Sequence, residues 1–366
     1  WPGRHTINDR RQSRSAIQRR RTGAMKYRLG INGFGRIGRN VARINQLRGY
    51  FDLVAINDIN PDIGNLAYLF KYDSTLGKYK GRVEPGNKFI RIDDREITAF
   101  NQAEISEAPW VEAGVDVIID CTGVSQNVVS GADLIKKRVV RKMVVTHASP
   151  HVDKTIIMGV NEASYVPERH HVLSSSICDA NAIGPVVAFL DRRYGIESGF
   201  VTTLHPWLSY QKLVDAPLQS QANPGHFWND YRLGRASAGA LIPKETTAVS
   251  ALFAVIPELE GRLDAVSYRV PTHVVSSADL TLHLTKPITA KELAGALTEL
   301  ASSCRYVELN HEPLVSVDFE QTEASCHIDM QFARVVGSSM VKVIVWYDNE
   351  WGYSNRALDV AALAVS

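Results

Sequence analysis

"YRLGINGFGRIGRNVARINQL", residues 27–47, decides how the first half of this chain folds. An apolar run, YRLGI, leads directly into Gly33, Gly35 and Gly38 in G-x-G-x-x-G spacing, and then into apolar residues of helical period. That is a strand turning sharply into a helix. The first glycine permits the turn and the second lets backbone approach a pyrophosphate. The third lets helix and strand pack closely, with the helix N-terminus facing the phosphate charge. A second strand, DLVAIND (52–58), ends in Asp58, 20 residues beyond Gly38, where a carboxylate can accept hydrogen bonds from an adenosine ribose. The same carboxylate repels a 2′-phosphate, so the pattern predicts NAD rather than NADP as cofactor. VDVIIDCTG (115–123) and KMVVTHAS (142–149) read as further strands that end in small or hydroxylated residues. Thr122, Gly123 and Thr146 are therefore candidates to line the cofactor, or equally to cap the following helices.

A chain of 366 residues is long for one core, so two domains are expected. Hydrophobic residues make up 45% and charged residues 22%, an ordinary globular balance, and no stretch approaches the apolar length of a membrane span. The four cysteines, Cys121, Cys178, Cys304 and Cys326, suggest no disulfide framework, and without a CxxC pair their spacing predicts no metal site. A reducing cytoplasmic setting fits this usage. Residues 1–24 carry seven arginines against one acid, a net +6, which leaves −4 for the remainder of a chain whose total is +2. An Arg-rich targeting peptide or a nucleic-acid arm would look similar, but the segment has nothing to bury and is expected to be a disordered basic extension. The acidic remainder argues against nucleic acid as a main partner.

The second half has a different rhythm. PVVAFLDRRYG (185–195) continues a helix begun at the cysteine segment. GFVTTLHPW, LDAVSYRVP, SSADLTLHLTK, LVSVDF and SMVKVIVWYDN read as strands, several with clear alternation. TAKELAGALTEL (289–300) is a helix opened by a capping box, Thr289 with Glu292. SNRALDVAALAVS (354–366) is a terminal helix with one apolar stripe. The fold class expected is α/β: an N-terminal doubly wound Rossmann sheet, then a C-terminal α+β domain with a mostly antiparallel sheet. The boundaries are 25–177 for the dinucleotide-binding domain, completed by helix 354–366, and 178–347 for the second domain.

"SSSICDANAIGP" (174–185) places Cys178 and Asp179 at the start of that helix. Residue type alone leaves two readings open, a nucleophile or a small buried hydrophobe beside a capping carboxylate. The segments GINGFGRIGRN, FKYDSTLGKY, IIMGVN, RVPTHVVSSADLT and WYDNEWGYSNRALD resemble the signatures of the glyceraldehyde-3-phosphate dehydrogenases, whose pattern the erythrose-4-phosphate dehydrogenases largely share. The resemblance runs from Met25 to the C-terminus. It implies Cys178 as nucleophile and His205, in TTLHPW, as the base that activates it. Asn349 is implied to hold the nicotinamide carboxamide, and Arg36 and Ile37 to contact the pyrophosphate. It also implies a small aldehyde substrate, phosphate as acyl acceptor, and a homotetramer.

The departures from that family cluster on the implied phosphate sites. Hydroxyls flank the nucleophile in the family, whereas this chain has Ile177 and Asp179. Leu208 stands for a threonine, Leu233 for an arginine, and Thr246-Thr247 for a Thr-Gly pair. Arg269 is the clearly retained phosphate-binding cation, with Lys244, Arg232 and Arg235 as candidates to rebuild a site. The segment LQSQANPGHFWND lengthens a loop that in the family reaches a neighbouring subunit. A carboxylate about 6 Å from a thiolate costs about 3 kcal/mol at an effective dielectric of 20, or about two pKa units, and repels incoming phosphate. Three functions follow. The first is NAD-dependent oxidation of glyceraldehyde 3-phosphate with phosphate as acceptor. The second is oxidation of another aldehyde, such as erythrose 4-phosphate, with water as acceptor. The third is a non-catalytic NAD-binding paralogue.

Overall fold

A computed structural model describes residues 26–219 and 229–366. The basic extension and most of the lengthened loop, residues 220–228, lie outside the described residues. The first half runs β1 (Arg28–Asn32), α1 (Arg36–Arg48), β2 (Asp52–Asn57), α2 (Ile63–Lys71), β3 (Val83–Pro85), β4 (Phe89–Ile92), β5 (Arg95–Phe100), β6 (Val117–Asp120), α3 (Gln126–Lys136), β7 (Lys142–Val145), β8 (Lys154–Thr155) and β9 (Val172–Ser174). The second runs α4 (Cys178–Tyr194), β10 (Ile196–Pro206), β11 (Ile242–Lys244), α5 (Ala248–Phe253), β12 (Leu263–Val270), β13 (Ser276–Leu284), α6 (Ala290–Ser303), β14 (Val307–Asn310), β15 (Cys326–Val336), β16 (Met340–Tyr347) and α7 (Trp351–Ala364).

The first nine strands form one sheet in the order β3-β4-β5-β2-β1-β6-β7-β9-β8. It is parallel except where β3, β4 and β5 form an antiparallel meander at one edge. β1, β6 and β7 are buried on both faces, as continuous apolar runs such as VIID and KMVV require. The order reverses beside β1, and the α1 N-terminus opens at that switch point. The remaining strands form a second sheet, β11-β12-β10-β13-β16-β15-β14. Most of its pairs are antiparallel, with β10/β12 and β14/β15 parallel. α4 packs against the second sheet and also meets α7, which covers the first.

The expected capping box at Thr289 and Glu292 is present. LVSVDF is not a strand. Asp318 turns back to accept from the Val315 N–H at 2.8 Å, and the segment winds into a 3-10 turn over Ser316–Phe319. Among the strands that escaped the sequence reading are the short β3–β5, β8, β11 and β14, and β15, whose polar stretch hides its alternation.

The glycine turn behaves as its spacing requires. Gly33 has φ +85°, and a Cβ on Gly38 would lie 2.0 Å from the Gly33 carbonyl oxygen, whereas one on Gly35 would meet nothing within 4 Å. Gly38→Ala is accordingly expected to cost about 2 kcal/mol or more, because rigid backbone cannot yield. Gly35→Ala should leave folding stability within about 0.5 kcal/mol. Thermal unfolding of the two variants beside the parent chain checks the contrast.

Candidate active site

At the glycine turn the Phe34 N–H donates to Asp58 Oδ2 at 2.6 Å and the Asn60 N–H to Oδ1 at 2.9 Å, so the acid ending β2 closes over the loop. The Arg36 side chain is engaged elsewhere. Its guanidinium binds Glu350 through Nε at 3.0 Å and Asp73 at 2.5 Å. An anion at this turn is left the backbone N–H groups of Arg36 and Ile37, in the first turn of α1, rather than the arginine side chain. Thr122 packs its methyl against Gly33 and donates to Asp120 Oδ1 at 2.8 Å, while its hydroxyl oxygen accepts from Val124 N–H at 3.1 Å. Thr146 donates to the Asp120 carbonyl at 3.0 Å. Both hydroxyls thus knit strand ends together beside the crevice, and Gly123 turns at φ +71°. Asn349 is buried, and its Oδ1 has no partner among the described residues. A buried acceptor without a donor is what a ligand amide would satisfy. With the open space at Gly35, these groups fit a nicotinamide dinucleotide.

The chain leaves β9 at Ser174 and enters α4 at Cys178 through a turn that the sequence does not announce. Ser176 sits at φ +58°, in the left-handed region. Its N–H donates to Ser174 Oγ at 2.9 Å, and its carbonyl accepts the Tyr353 hydroxyl at 2.8 Å. Asn181 Nδ2 donates to the Ser175 carbonyl at 2.7 Å. Ile177 takes the position before the helix and offers no side-chain acceptor.

Cys178 Sγ lies 3.5 Å from His205 Nε2. His205 comes from the end of β10, and its Nδ1 faces the Pro206 carbonyl at 3.2 Å. That contact places the ring proton on Nδ1 and leaves the Nε2 lone pair toward the sulfur. Asp179 is buried in the same group. Its Oδ1 is 3.5 Å from Sγ and 3.8 Å from Nε2, and accepts the Tyr347 hydroxyl at 2.6 Å. Burial pushes the Cys178 thiol well up, and the Asp179 charge adds to the shift. Burial likewise lowers His205 to about 4, assisted by the Arg269 charge and partly opposed by Asp179. At neutral pH the pair therefore rests as thiol and neutral imidazole. Tyr347 is pushed up by burial and then by Asp179, and stays a donor.

Arg269 lies on β12 beside His205, with which it pairs in register. It is 7% exposed, and its Nε has no partner among the described residues, although Nη2 reaches the Tyr210 hydroxyl at 3.4 Å. Lys244 sits two residues along the neighbouring strand, paired with Ser267, and burial followed by the Arg269 charge lowers its pKa. The other candidates stand apart. Arg232 pairs with Asp230 at 3.0 Å and Arg235 with Asp215 at 2.9 Å, so neither offers a free cation. Leu233 is a packing residue, buried with Leu218 and Ile242. Leu208 N–H donates to Gln211 Oε1. Thr246 Oγ1 accepts from Ala248 N–H, and Thr247 precedes the six-residue α5. No hydrogen bond among the described residues joins Leu208, Thr246 or Thr247 to Cys178. Sequence reasoning missed Tyr347 and Tyr353. Both lie in the quoted WYDNEWGY stretch, but nothing in the spacing says that they reach the cysteine loop.

Comparison with known proteins agrees with this architecture. The family model described as glyceraldehyde 3-phosphate dehydrogenase, NAD binding domain, matches residues 27–128, and that for the C-terminal domain matches residues 177–349. The chain is 38% identical over 349 residues to glyceraldehyde-3-phosphate dehydrogenase 1 of Streptomyces avermitilis, covering 93% of this chain and 98% of that protein. It is 37% identical to the cytosolic glyceraldehyde-3-phosphate dehydrogenase of Chlamydomonas reinhardtii, covering 92% and 96%. It is 36% identical to the glyceraldehyde-3-phosphate dehydrogenase of Geobacillus stearothermophilus, covering 93% and 99%. With a glycine turn that fits NAD and a cysteine 3.5 Å from its histidine, the chain belongs to the glyceraldehyde-3-phosphate dehydrogenase family and is an NAD-dependent dehydrogenase.

Proposed function

We propose that this enzyme oxidises glyceraldehyde 3-phosphate through Cys178, with His205 as base and inorganic phosphate as acyl acceptor. The observation that carries the reading is the 3.5 Å approach of Sγ to a histidine nitrogen whose partner nitrogen is tied to a carbonyl. As sulfur attacks the aldehyde carbon, the thiol proton passes to His205 Nε2 and from there to the carbonyl oxygen, giving a thiohemiacetal without a free thiolate at rest. Hydride acceptance, which leaves a thioester on Cys178, is the chemistry supplied by bound NAD. Gly33, Gly35, Gly38, the N–H groups of Arg36 and Ile37, Asp58 and Asn349 would hold the dinucleotide, with Thr122, Gly123 and Thr146 shaping the crevice. Arg269 supplies the buried cation for a phosphate, with Lys244 adding charge. Ile177, Leu208, Thr246 and Thr247 line the substrate side.

A second reading, with water as acyl acceptor, is favoured by one observation: Asp179 puts a carboxylate where the family resemblance implies a hydroxyl. The setting proposed is a cytoplasmic homotetramer, each chain dividing at residues 177/178 into a dinucleotide-binding and a catalytic domain. The Chlamydomonas relative is named cytosolic, and all four cysteines are free. Phe200, Leu204 and Val266 share an exposed apolar face of β10 and β12 that another subunit could cover. No helix among the described residues is long and apolar enough to cross a membrane.

NADH formation from glyceraldehyde 3-phosphate and NAD, with and without phosphate, tests the reading. Turnover that requires phosphate is expected, and Cys178→Ala should abolish it, whereas equal turnover without phosphate assigns water as acceptor. Asp179→Asn removes a charge 3.5 Å from sulfur and should lower the thiol pKa. Iodoacetamide alkylation of Cys178 at pH 7 should then quicken about tenfold or more, because the thiolate is the reactive form. An unchanged pH profile of alkylation would clear Asp179 of that effect.

A further inference from the structure

Aldehyde oxidation uses two of the three Lewis-basic atoms that meet at Cys178. Sγ and His205 Nε2 are 3.5 Å apart, Sγ and Asp179 Oδ1 are 3.5 Å apart, and Nε2 and Oδ1 are 3.8 Å apart. Only the thiol brings a proton to this triangle, because the histidine proton is directed to Pro206 and the tyrosine proton approaches Oδ1 from Tyr347. Zinc binds thiolate at about 2.3 Å, imidazole at about 2.0–2.1 Å and carboxylate at about 2.0–2.2 Å, in tetrahedral arrangement. Three such donors around one ion stand about 3.3–3.6 Å from one another by that geometry. Two observed edges match, and the third is longer by about half an ångström, a small turn of one carboxylate.

The surroundings of the triangle also suit a metal. A metal-binding histidine commonly donates its second ring N–H to a carbonyl, and a ligating carboxylate is itself held by a donor. Pro206 and Tyr347 already fill those two places. Cys178 is half-buried, so the triangle is not sealed by protein on every side and a fourth coordination position can stay open. At the third ligand this chain departs from the family pattern, since the family resemblance places a hydroxyl where Asp179 stands.

We propose that Cys178, Asp179 and His205 form a reversible binding site for a zinc-class divalent cation, with one open coordination position, and that its occupancy silences the nucleophile. Binding exchanges the thiol proton, released to solvent, for a sulfur–metal bond. The lone pair that would attack the aldehyde is thereby committed to the metal. Mixed sulfur, nitrogen and oxygen donors favour zinc or cobalt over magnesium or calcium, which take oxygen ligands. The nearby Arg269 and Lys244 charges oppose a cation, whereas the thiolate and carboxylate together offset both charges of the ion. The result is a site that can empty again, unlike a closed structural one.

The test titrates the metal-free full chain with cobalt(II), without aldehyde or NAD. The result expected is the visible spectrum of tetrahedral cobalt with a near-ultraviolet thiolate-to-cobalt charge-transfer band, reversed by excess zinc and untouched by magnesium. Cys178→Ser should lose the charge-transfer band, and Asp179→Thr should bind cobalt at least tenfold more weakly. In the parent chain, zinc should protect Cys178 from iodoacetamide, and a chelator should restore alkylation. Absence of the band, equal affinity in folded Asp179→Thr, or alkylation indifferent to zinc would each overturn the proposal. Should Asp179→Thr not fold, the alkylation arm still decides, because it needs no variant. Neither arm requires turnover, so failure here is distinct from failure of the dehydrogenase reading.

Discussion

The left-handed turn at Ser176 fixes where the nucleophile stands, and the site depends on it. Holding a non-glycine residue at φ +58° costs about 1–3 kcal/mol. The hydrogen bonds from Ser176 N–H, from Tyr353 to the Ser176 carbonyl, and from Asn181 to the Ser175 carbonyl contribute about 1 kcal/mol each, enough to hold the turn in place. One short segment therefore governs the whole site. Tyr347 reaches Asp179, Glu350 reaches Arg36, and Tyr353 reaches Ser176, while Asn349 keeps its buried acceptor free. The nucleophile and the glycine turn, on different elements, are positioned by the same few residues at and just after the end of β16.

Electrostatics in the cluster pull in two directions. Burial favours neutral thiol and neutral imidazole, so reactivity comes from a proton that moves with the attack rather than from a standing ion pair. Asp179 strengthens that bias for the thiol. Its negative charge is answered by Arg269 and Lys244, which approach from strands β12 and β11. A carboxylate thus stands where the family resemblance implies a hydroxyl, beside the retained Arg269 and a buried lysine, and the character of the acyl acceptor turns on their balance.

What the sequence discloses follows how local each signal is. The glycine turn and the capping box at Thr289 are written within a few residues, and both fold as read. LVSVDF misled because its alternation is real, but Asp318 folds back on Val315 and wins the segment for a turn. At Arg36 the sequence leaves backbone and side chain both open as contacts, and Glu350, far along the chain, engages the side chain. The pairing of Cys178 with His205 was legible only through resemblance, and that of Asp179 with Tyr347, 168 residues apart, was not legible at all. Contacts made by tertiary folding leave no spacing to read.

The placement of α7 carries a consequence for how the chain is made. α7 is buried along almost its entire length against α1, β6 and β7 of the first sheet, yet it follows the whole second sheet in the chain. As the polypeptide emerges from the ribosome, the dinucleotide-binding half must wait, with an apolar flank uncovered, until the second sheet has been synthesised and α7 arrives to close it. During that interval the uncovered flank is the natural target for a chaperone or for a neighbouring nascent chain. Once closed, the two halves are clasped by one helix, and loss of α7 from its seat would loosen both together.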